Sequence, residues 1–302
     1  MIHCLSVKQL ADCLKVRTEL LYDISNNTEN FYKIYTIPKK NGKLRIIEAP
    51  VPILKYIQKI ILRNFLSRRV HPIATAFEQG DSIQKNAWIH RNQHAILKLD
   101  LKNFFQSITY KRVLRYFKRQ GYSENIAVML SHLCTLNGHL PQGAVTSPRL
   151  SNLIQYNFDL NLYKYCYKNK LCVTRYADDI TFSGNINKEV ANEIIHYCED
   201  RLSRINLQIN KAKTKIIYKN QRQLVTGLVV NKKVNTPITL RRELRQTMYY
   251  LIKFGEIRRT PPTKNDICKL LGQVSFVLET DRNKLEFYNY KQYLIELQKT
   301  IQ

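Results

Sequence analysis

Two adjacent carboxylates stand in the run Arg175-Tyr176-Ala177-Asp178-Asp179, with apolar segments on either side. Leu171–Arg175 and Ile180–Ser183 read as strands, which puts the pair at the tip of a hairpin. Two ionised carboxylates side by side raise each other's proton affinity unless a cation neutralises them. Magnesium suits such a place, because it takes oxygen ligands and is commonly held by a few carboxylates plus a substrate phosphate. Asp100 ends another short apolar run, Ala95–Asp100, and is the natural third ligand. Two such ions about 3.5–4 Å apart, one on an attacking and one on a leaving oxygen, are a general arrangement for phosphoryl transfer. The plain alternative for Asp178-Asp179 is an ordinary acidic turn.

Charge points to the class of partner. The 302 residues carry 49 Lys+Arg against 23 Asp+Glu, a formal charge of +26. An excess of this size favours a polyanion, and nucleic acid is the commonest one. Between Asp200 and Glu243 there is no acidic residue among many lysines and arginines, and between Asp100 and Asp159 the only acid is Glu124. A solubilising surface is the competing explanation. Hydrophobic residues at 44% indicate a folded chain of one large or a few small domains. No purely apolar run exceeds five residues and no signal-peptide pattern opens the chain, so the expectation is a cytoplasmic protein with no membrane partner. Seven cysteines without a CxxC pair argue against a disulfide framework or a zinc module. His90 and His94 are four apart, but no other ligand cluster accompanies them. The nine glycines form neither a P-loop nor a Rossmann turn.

The surrounding elements are readable in outline. Residues 6–24 have helical spacing with Ser6 as a cap, and residues 52–69 are a second helix. Phe31–Ile37 and Leu44–Ala49 predict strands joined by a turn with an Asn41-Gly42 signal. Ser147-Pro148 predicts a helix start, with Ser147 as N-cap and the helix running on through Phe158. Beyond Pro237, Leu240, Leu244, Met248, Leu251 and Phe254 mark one amphipathic helix. Ile267, Leu270, Leu271, Val274 and Leu278 mark another.

Several of these segments resemble, in order over residues 37–230, the motifs of reverse transcriptases. Leu99-Asp100-Leu101-Lys102-Asn103-Phe104-Phe105 is similar to the first catalytic motif. Leu140-Pro141-Gln142-Gly143-Ala144-Val145-Thr146-Ser147-Pro148 resembles the LPQG…SP motif, departing at Val145, where many members have proline. Tyr176-Ala177-Asp178-Asp179 matches the YxDD box, and Asn210-Lys211-Ala212-Lys213-Thr214 resembles the motif after it. Asn86-Ala87-Trp88-Ile89-His90 and Val225-Thr226-Gly227 resemble the NAxxH and VTG elements of bacterial retron reverse transcriptases. Ser275-Phe276-Val277-Leu278 resembles their thumb less specifically.

The resemblance implies an α+β right-hand polymerase with fingers, a ferredoxin-like palm and a small helical thumb. Residues 1–95 would be the N-terminal helix and fingers, 96–235 the palm with a fingers segment near 115–150, and 236–302 the thumb. Asp100, Asp178 and Asp179 would be catalytic and, with Leu101, would bind two Mg²⁺ ions. Lys40, Lys43, Arg45, Phe105, Gln142, Gly143 and Lys213 would meet the nucleotide, Phe105 as a gate against a ribose 2′-OH and Lys213 as a candidate proton donor to pyrophosphate. Asn86, His90, Val225, Thr226 and Gly227, with Arg241, Arg242 and Arg245, would recognise RNA. Implied partners are dNTPs, a cognate non-coding RNA and its DNA product, and a separate effector protein in anti-phage defence. Another reverse transcriptase class, or a non-catalytic RNA-binding scaffold, stands as the alternative.

Overall fold

The computed structural model describes every residue except 1, 3, 40, 41, 68, 258, 282, 301 and 302. The expected single N-terminal helix is two, α1 (Val7–Leu14) and α2 (Thr18–Asn26). Ser6 caps α1, accepting from the Gln9 N–H, and Lys15 ends it in the left-handed conformation. A lysine gives no sequence signal for that stop, which glycine would have given. The strands β1 (Tyr32–Pro38) and β2 (Leu44–Pro50) pair antiparallel, Tyr32 opposite Pro50. Helix α3 (Pro52–Asn64) follows, shorter than expected at its C-terminus. Helix α4 (Ile83–Ile89) is capped by Ser82, so Asn86 lies inside it.

Strand β3 (Ala95–Asp100) has the predicted limits. Helices α5 (Tyr110–Arg119) and α6 (Glu124–Cys134) pack on each other. Ser147 is the first residue of α7 (Ser147–Ile154), not its cap: Thr146 occupies the cap position without a side-chain bond. The helix expected to continue through Phe158 breaks at Gln155, and α8 (Tyr156–Lys168) begins there. The acidic hairpin consists of β4 (Cys172–Tyr176) and β5 (Asp179–Gly184). Helix α9 (Lys188–Ser203) packs on α8, and β6 (Lys215–Tyr218) completes a four-stranded sheet of order β4-β5-β3-β6. That order sets β3 beside β5, so Asp100, at the end of one strand, meets Asp179, at the start of the other.

Strands β7 (Leu224–Val225) and β8 (Leu228–Val229) form a short antiparallel hairpin. Helices α10 (Ile238–Phe254), α11 (Lys264–Thr280) and α12 (Leu285–Thr300) share an apolar core of Leu244, Met248, Leu251, Ile267, Val274 and Phe287, among others. Phe254, expected on the buried stripe of α10, is instead exposed at its C-terminal end. The chain divides into two compact units. One comprises Met1–Asp81, Leu97–Phe182 and Ile186–Ile216; the other comprises Ser82–Ile96, Ser183–Asn185 and Ile217–Gln302. No described helix is long and apolar enough to cross a membrane.

Candidate active site

The acidic turn is held from beneath by a buried cation. Ala177 adopts a positive φ of 58°, which turns the chain sharply between β4 and β5. Its carbonyl accepts a hydrogen bond of 3.2 Å from Arg175 Nη1. Arg175 is fully buried and forms a two-pronged pair with Asp159 of α8, at 2.7 and 2.6 Å, while Asn152 accepts from it at 3.2 Å. A fork–fork guanidinium–carboxylate pair fixes direction as well as charge. The Leu101 N–H donates to the Asp178 carbonyl at 2.9 Å, tying the turn to the chain just after Asp100.

The three carboxylates feel one another. Burial raises the Asp178 carboxyl above the usual carboxylate range, the Asp179 and Asp100 charges add to this, and its own backbone N–H and Lys213 oppose it. Burial likewise raises Asp179, with Lys98, Lys213 and Lys215 pulling the other way and Asp100 adding to the rise. Asp100 accepts from Lys213 Nζ at 2.8 Å and from Asn210 Nδ2 at 3.3 Å. That bond with Asp100 raises the Lys213 ammonium's pKa. Among the described residues, no three His, Cys, Asp or Glu side chains stand in a ready-made metal cluster. Asp100 is turned to Lys213, whose ammonium is the cation beside it. The oxygen-only donor set and the raised proton affinity of Asp178 and Asp179 still suit a hard divalent ion.

A second fixed piece is the Gln142-Gly143 loop. The Glu48 N–H donates to the Gln142 carbonyl at 2.9 Å, and the Gln142 N–H returns a bond to the Glu48 carboxylate at 3.0 Å. His139 Nε2 also lies 3.2 Å from that carboxylate. Gly143 has a φ of +142°, and a Cβ there would sit 2.7 Å from the Glu48 carbonyl oxygen. Gln58 accepts from the Val145 N–H at 3.0 Å, anchoring the far side. Phe104 is buried, whereas Phe105 is only half-buried and lies 6.3 Å from the Phe77 ring, centroid to centroid. Lys43 and Arg45 are exposed at the end of the β1–β2 hairpin, and Lys40 lies outside the described residues.

The NAxxH and VTG elements meet. Asn86 is fully buried, and its Nδ2 donates to the Thr226 hydroxyl at 3.4 Å, which donates in turn to the Ile83 carbonyl at 3.2 Å. Thr226 and Gly227 both have positive φ, 45° and 84°, and form the two-residue turn between β7 and β8. Val225 packs in a small core with Ala87, Ile96 and Leu228. His90 is also fully buried, with Nδ1 2.7 Å from the Ser183 hydroxyl. His94 packs edge-on against Tyr218. Of the three arginines on α10, Arg241 donates to Asn235 and Thr236, Arg245 pairs with Glu286, and Arg242 is exposed.

Comparison with known proteins agrees with this geometry. Residues 37–273 match the family model described as reverse transcriptase (RNA-dependent DNA polymerase). The chain is 32% identical over 286 residues to the Retron Ec86 reverse transcriptase of Escherichia coli, covering 91% of this chain and 85% of that protein. The chain belongs to the retron-type reverse transcriptases. The Retron Ec83 reverse transcriptase of Escherichia coli is 32% identical over 260 residues, covering 80% of this chain and 81% of its own length. Such proteins are RNA-directed DNA polymerases, with an RNA template and a DNA product. Among solved structures, a telomerase from Candida albicans in complex with a fragment of telomeric RNA superposes with a TM-score of 0.51 at 11% identity. That match covers 90% of this chain and 61% of the telomerase chain, so this chain spans about three fifths of that one. The likeness is one of fold, that of the right-hand polymerases.

Sequence motifs named the aspartates, the loop and the two retron elements. They left out Arg175 with Asp159 and Asn152, and Glu48 with Gln58, which hold those motifs in place. A lone Glu or Gln inside a strand or helix carries no local signature. Buried Asp159 within the amphipathic run of α8 was the one available hint.

Proposed function

We propose that this retron-type reverse transcriptase copies part of its own structured non-coding RNA into single-stranded DNA, leaving a branched RNA–DNA hybrid. The observation that carries the reading is the meeting of Asp100, Asp178 and Asp179, with Lys213 on Asp100, at neighbouring strand ends. Asp100, Asp178 and Asp179, with the Leu101 backbone, would hold two Mg²⁺ ions, which supply charge neutralisation at the α-phosphate and a more acidic priming hydroxyl. Arg175 and Asp159 act as positioning residues, keeping the turn that bears Asp178 rigid before any ligand arrives. Gln142 and Gly143 offer backbone that can approach the nucleotide closely, and Phe105 supplies bulk beside its sugar. Lys40, Lys43 and Arg45 attract the triphosphate, and Lys213 protonates the departing pyrophosphate.

Residues 1–95, 96–235 and 236–302 would serve as fingers, palm and thumb. Asn86, buried with its amide on the Thr226 hydroxyl, would act on RNA by setting the Val225-Thr226-Gly227 turn rather than by touching it. His90, buried against Ser183, would likewise act only indirectly, leaving the turn and Arg242 as contact points, with Arg241 and Arg245 nearby on the same helix. The setting would be the bacterial cytoplasm, with a separate effector protein in phage defence. The test is primer extension on an RNA template with and without Mg²⁺, beside priming on the cognate RNA. Extension without priming on the cognate RNA refutes the retron-specific part; no extension with Mg²⁺ refutes the whole.

A further inference from the structure

Helix α5 contains no acidic residue and sets Arg112, Arg115 and Arg119 along one side at i, i+3 and i+7 spacing. With Arg69 they line a groove of about 460 Å³ whose wall includes Gln155 and Tyr156. Arg112 donates to the Ile205 carbonyl at 3.2 Å and to Gln155 Oε1 at 3.3 Å, both neutral acceptors. Burial, then the neighbouring Arg115 charge, bring its guanidinium down to about 10. Arg69, Arg115 and Arg119 are exposed, and none has an ion pair among the described residues. The Gln155 side chain is buried, and its Nε2 donor has no partner among the described residues. A solvated helix face would interleave acids with these cations.

An aromatic row leads away from the groove. Tyr156, at the groove wall, begins it; the His71 ring lies 5.6 Å from Tyr156 and 5.6 Å from Tyr163, and Tyr167 follows 6.1 Å beyond Tyr163. The three tyrosines are 39%, 45% and 75% exposed, so the row is open to a ligand along its length. Cations that follow a backbone, continuing into rings on which successive bases stack, are how single strands are held without regard to sequence. An acidic protein segment would use the arginines and leave the rings idle.

We propose that the Arg112–Arg115–Arg119 groove and the Tyr156–Tyr163–Tyr167 row form a second nucleic-acid surface, which holds a single-stranded stretch of RNA or DNA outside the three-carboxylate centre. It rests on the reading of the chain as a polymerase with an RNA template and a DNA product. It gives those strands a place to lie while the centre works.

The test saturates the protein with an unlabelled RNA template–DNA primer duplex and then titrates in fluorescein-labelled rU12 or dT12, followed by anisotropy at several salt concentrations. Arg115→Ala/Arg119→Ala should weaken binding by about tenfold or more at low salt and flatten the log–log salt slope by about 1.4, two contacts at roughly 0.7 each. Tyr163→Ala/Tyr167→Ala should weaken binding with the slope unchanged, because stacking releases no counterions. Both variants should keep the wild-type melting temperature and primer-extension rate. The oligomer that loses more affinity names the strand. Unchanged affinity and slope overturn the proposal, as does extension falling in parallel, which would put these residues on the primer–template path. Equal displacement by polyglutamate, indifferent to the tyrosines, would mark a protein-binding surface instead. Loss of oligomer binding in the variants, with no extension by the wild type, would sink the polymerase reading and leave this surface standing.

Discussion

Gly143→Ala separates a loop that merely folds from one that meets the nucleotide. The added Cβ would lie 2.7 Å from the Glu48 carbonyl oxygen and 3.2 Å from Ile47 Cγ2, the first roughly 0.7 Å short of ordinary contact. The obstructing oxygen is backbone of a paired strand and cannot swing aside. Holding the native loop with a side chain at φ +142° costs about 1–3 kcal/mol. The free protein avoids that cost by letting the loop lift away, giving up the two Glu48–Gln142 bonds to water. Binding must then restore the native loop, so the competent fraction, and the apparent dNTP affinity with it, falls by the strain less the cost of lifting, at most about 5- to 150-fold. Steady-state incorporation of a single dNTP on an RNA template should show KM raised by that factor, kcat largely kept at saturation, and a melting temperature little changed. KM within twofold of wild type would refute the reasoning. So would a fall in kcat at constant KM.

Asp178→Asn should abolish incorporation while raising the melting temperature of the metal-free protein. The raised carboxyl pKa means that ionisation at neutral pH costs folding energy, and Asn removes the charge at equal size; a lowered melting temperature would contradict this. Phe105→Ala should admit rNTPs, read as the ratio of rNTP to dNTP incorporation on one template; an unchanged ratio would leave the ring a packing group. Burial alone would raise the Asp281 carboxyl, but Lys284, Lys233 and the Asn283 N–H together hold it at about 2. Its folded pKa is depressed, so its stabilising share is present above pH ~4 and drains away as pH falls towards 2. Asp281→Asn should flatten that part of the acid-unfolding curve, and an identical curve would remove the linkage.

What was legible in the sequence was whatever had a local signature. Strand β3 is a short apolar run that ends on a charge, and its limits fell where expected. The acidic hairpin showed because two strands flank a turn that needs neutralising. The break after α1 was hidden because Lys15 goes left-handed without glycine or proline, and the apolar period resumes at Leu21. Helix α12 was missed since its two fully buried residues, Phe287 and Leu294, are a full seven apart and leave only a thin stripe. Arg175 and Asp159 are 16 residues apart, and pairing across a helix and a strand has no period to detect. The burial of Asn86 and His90 was equally invisible, since a polar residue in or just after a helix looks exposed until its partner, Thr226 or Ser183, folds against it.

The Thr226-Gly227 turn has a consequence for anyone improving this protein. A β-branched residue at φ 45° is held in a conformation it resists, and the hydroxyl bonded to Asn86 and Ile83 keeps it there. Asparagine or glycine at 226 would suit the backbone better, so a selection scored on heat resistance would favour either. Both would discard that hydroxyl. Directed evolution for robustness alone would thus drift away from the side chain that fastens the turn to α4, and a library that keeps RNA-primed synthesis in the screen should hold Thr226 fixed.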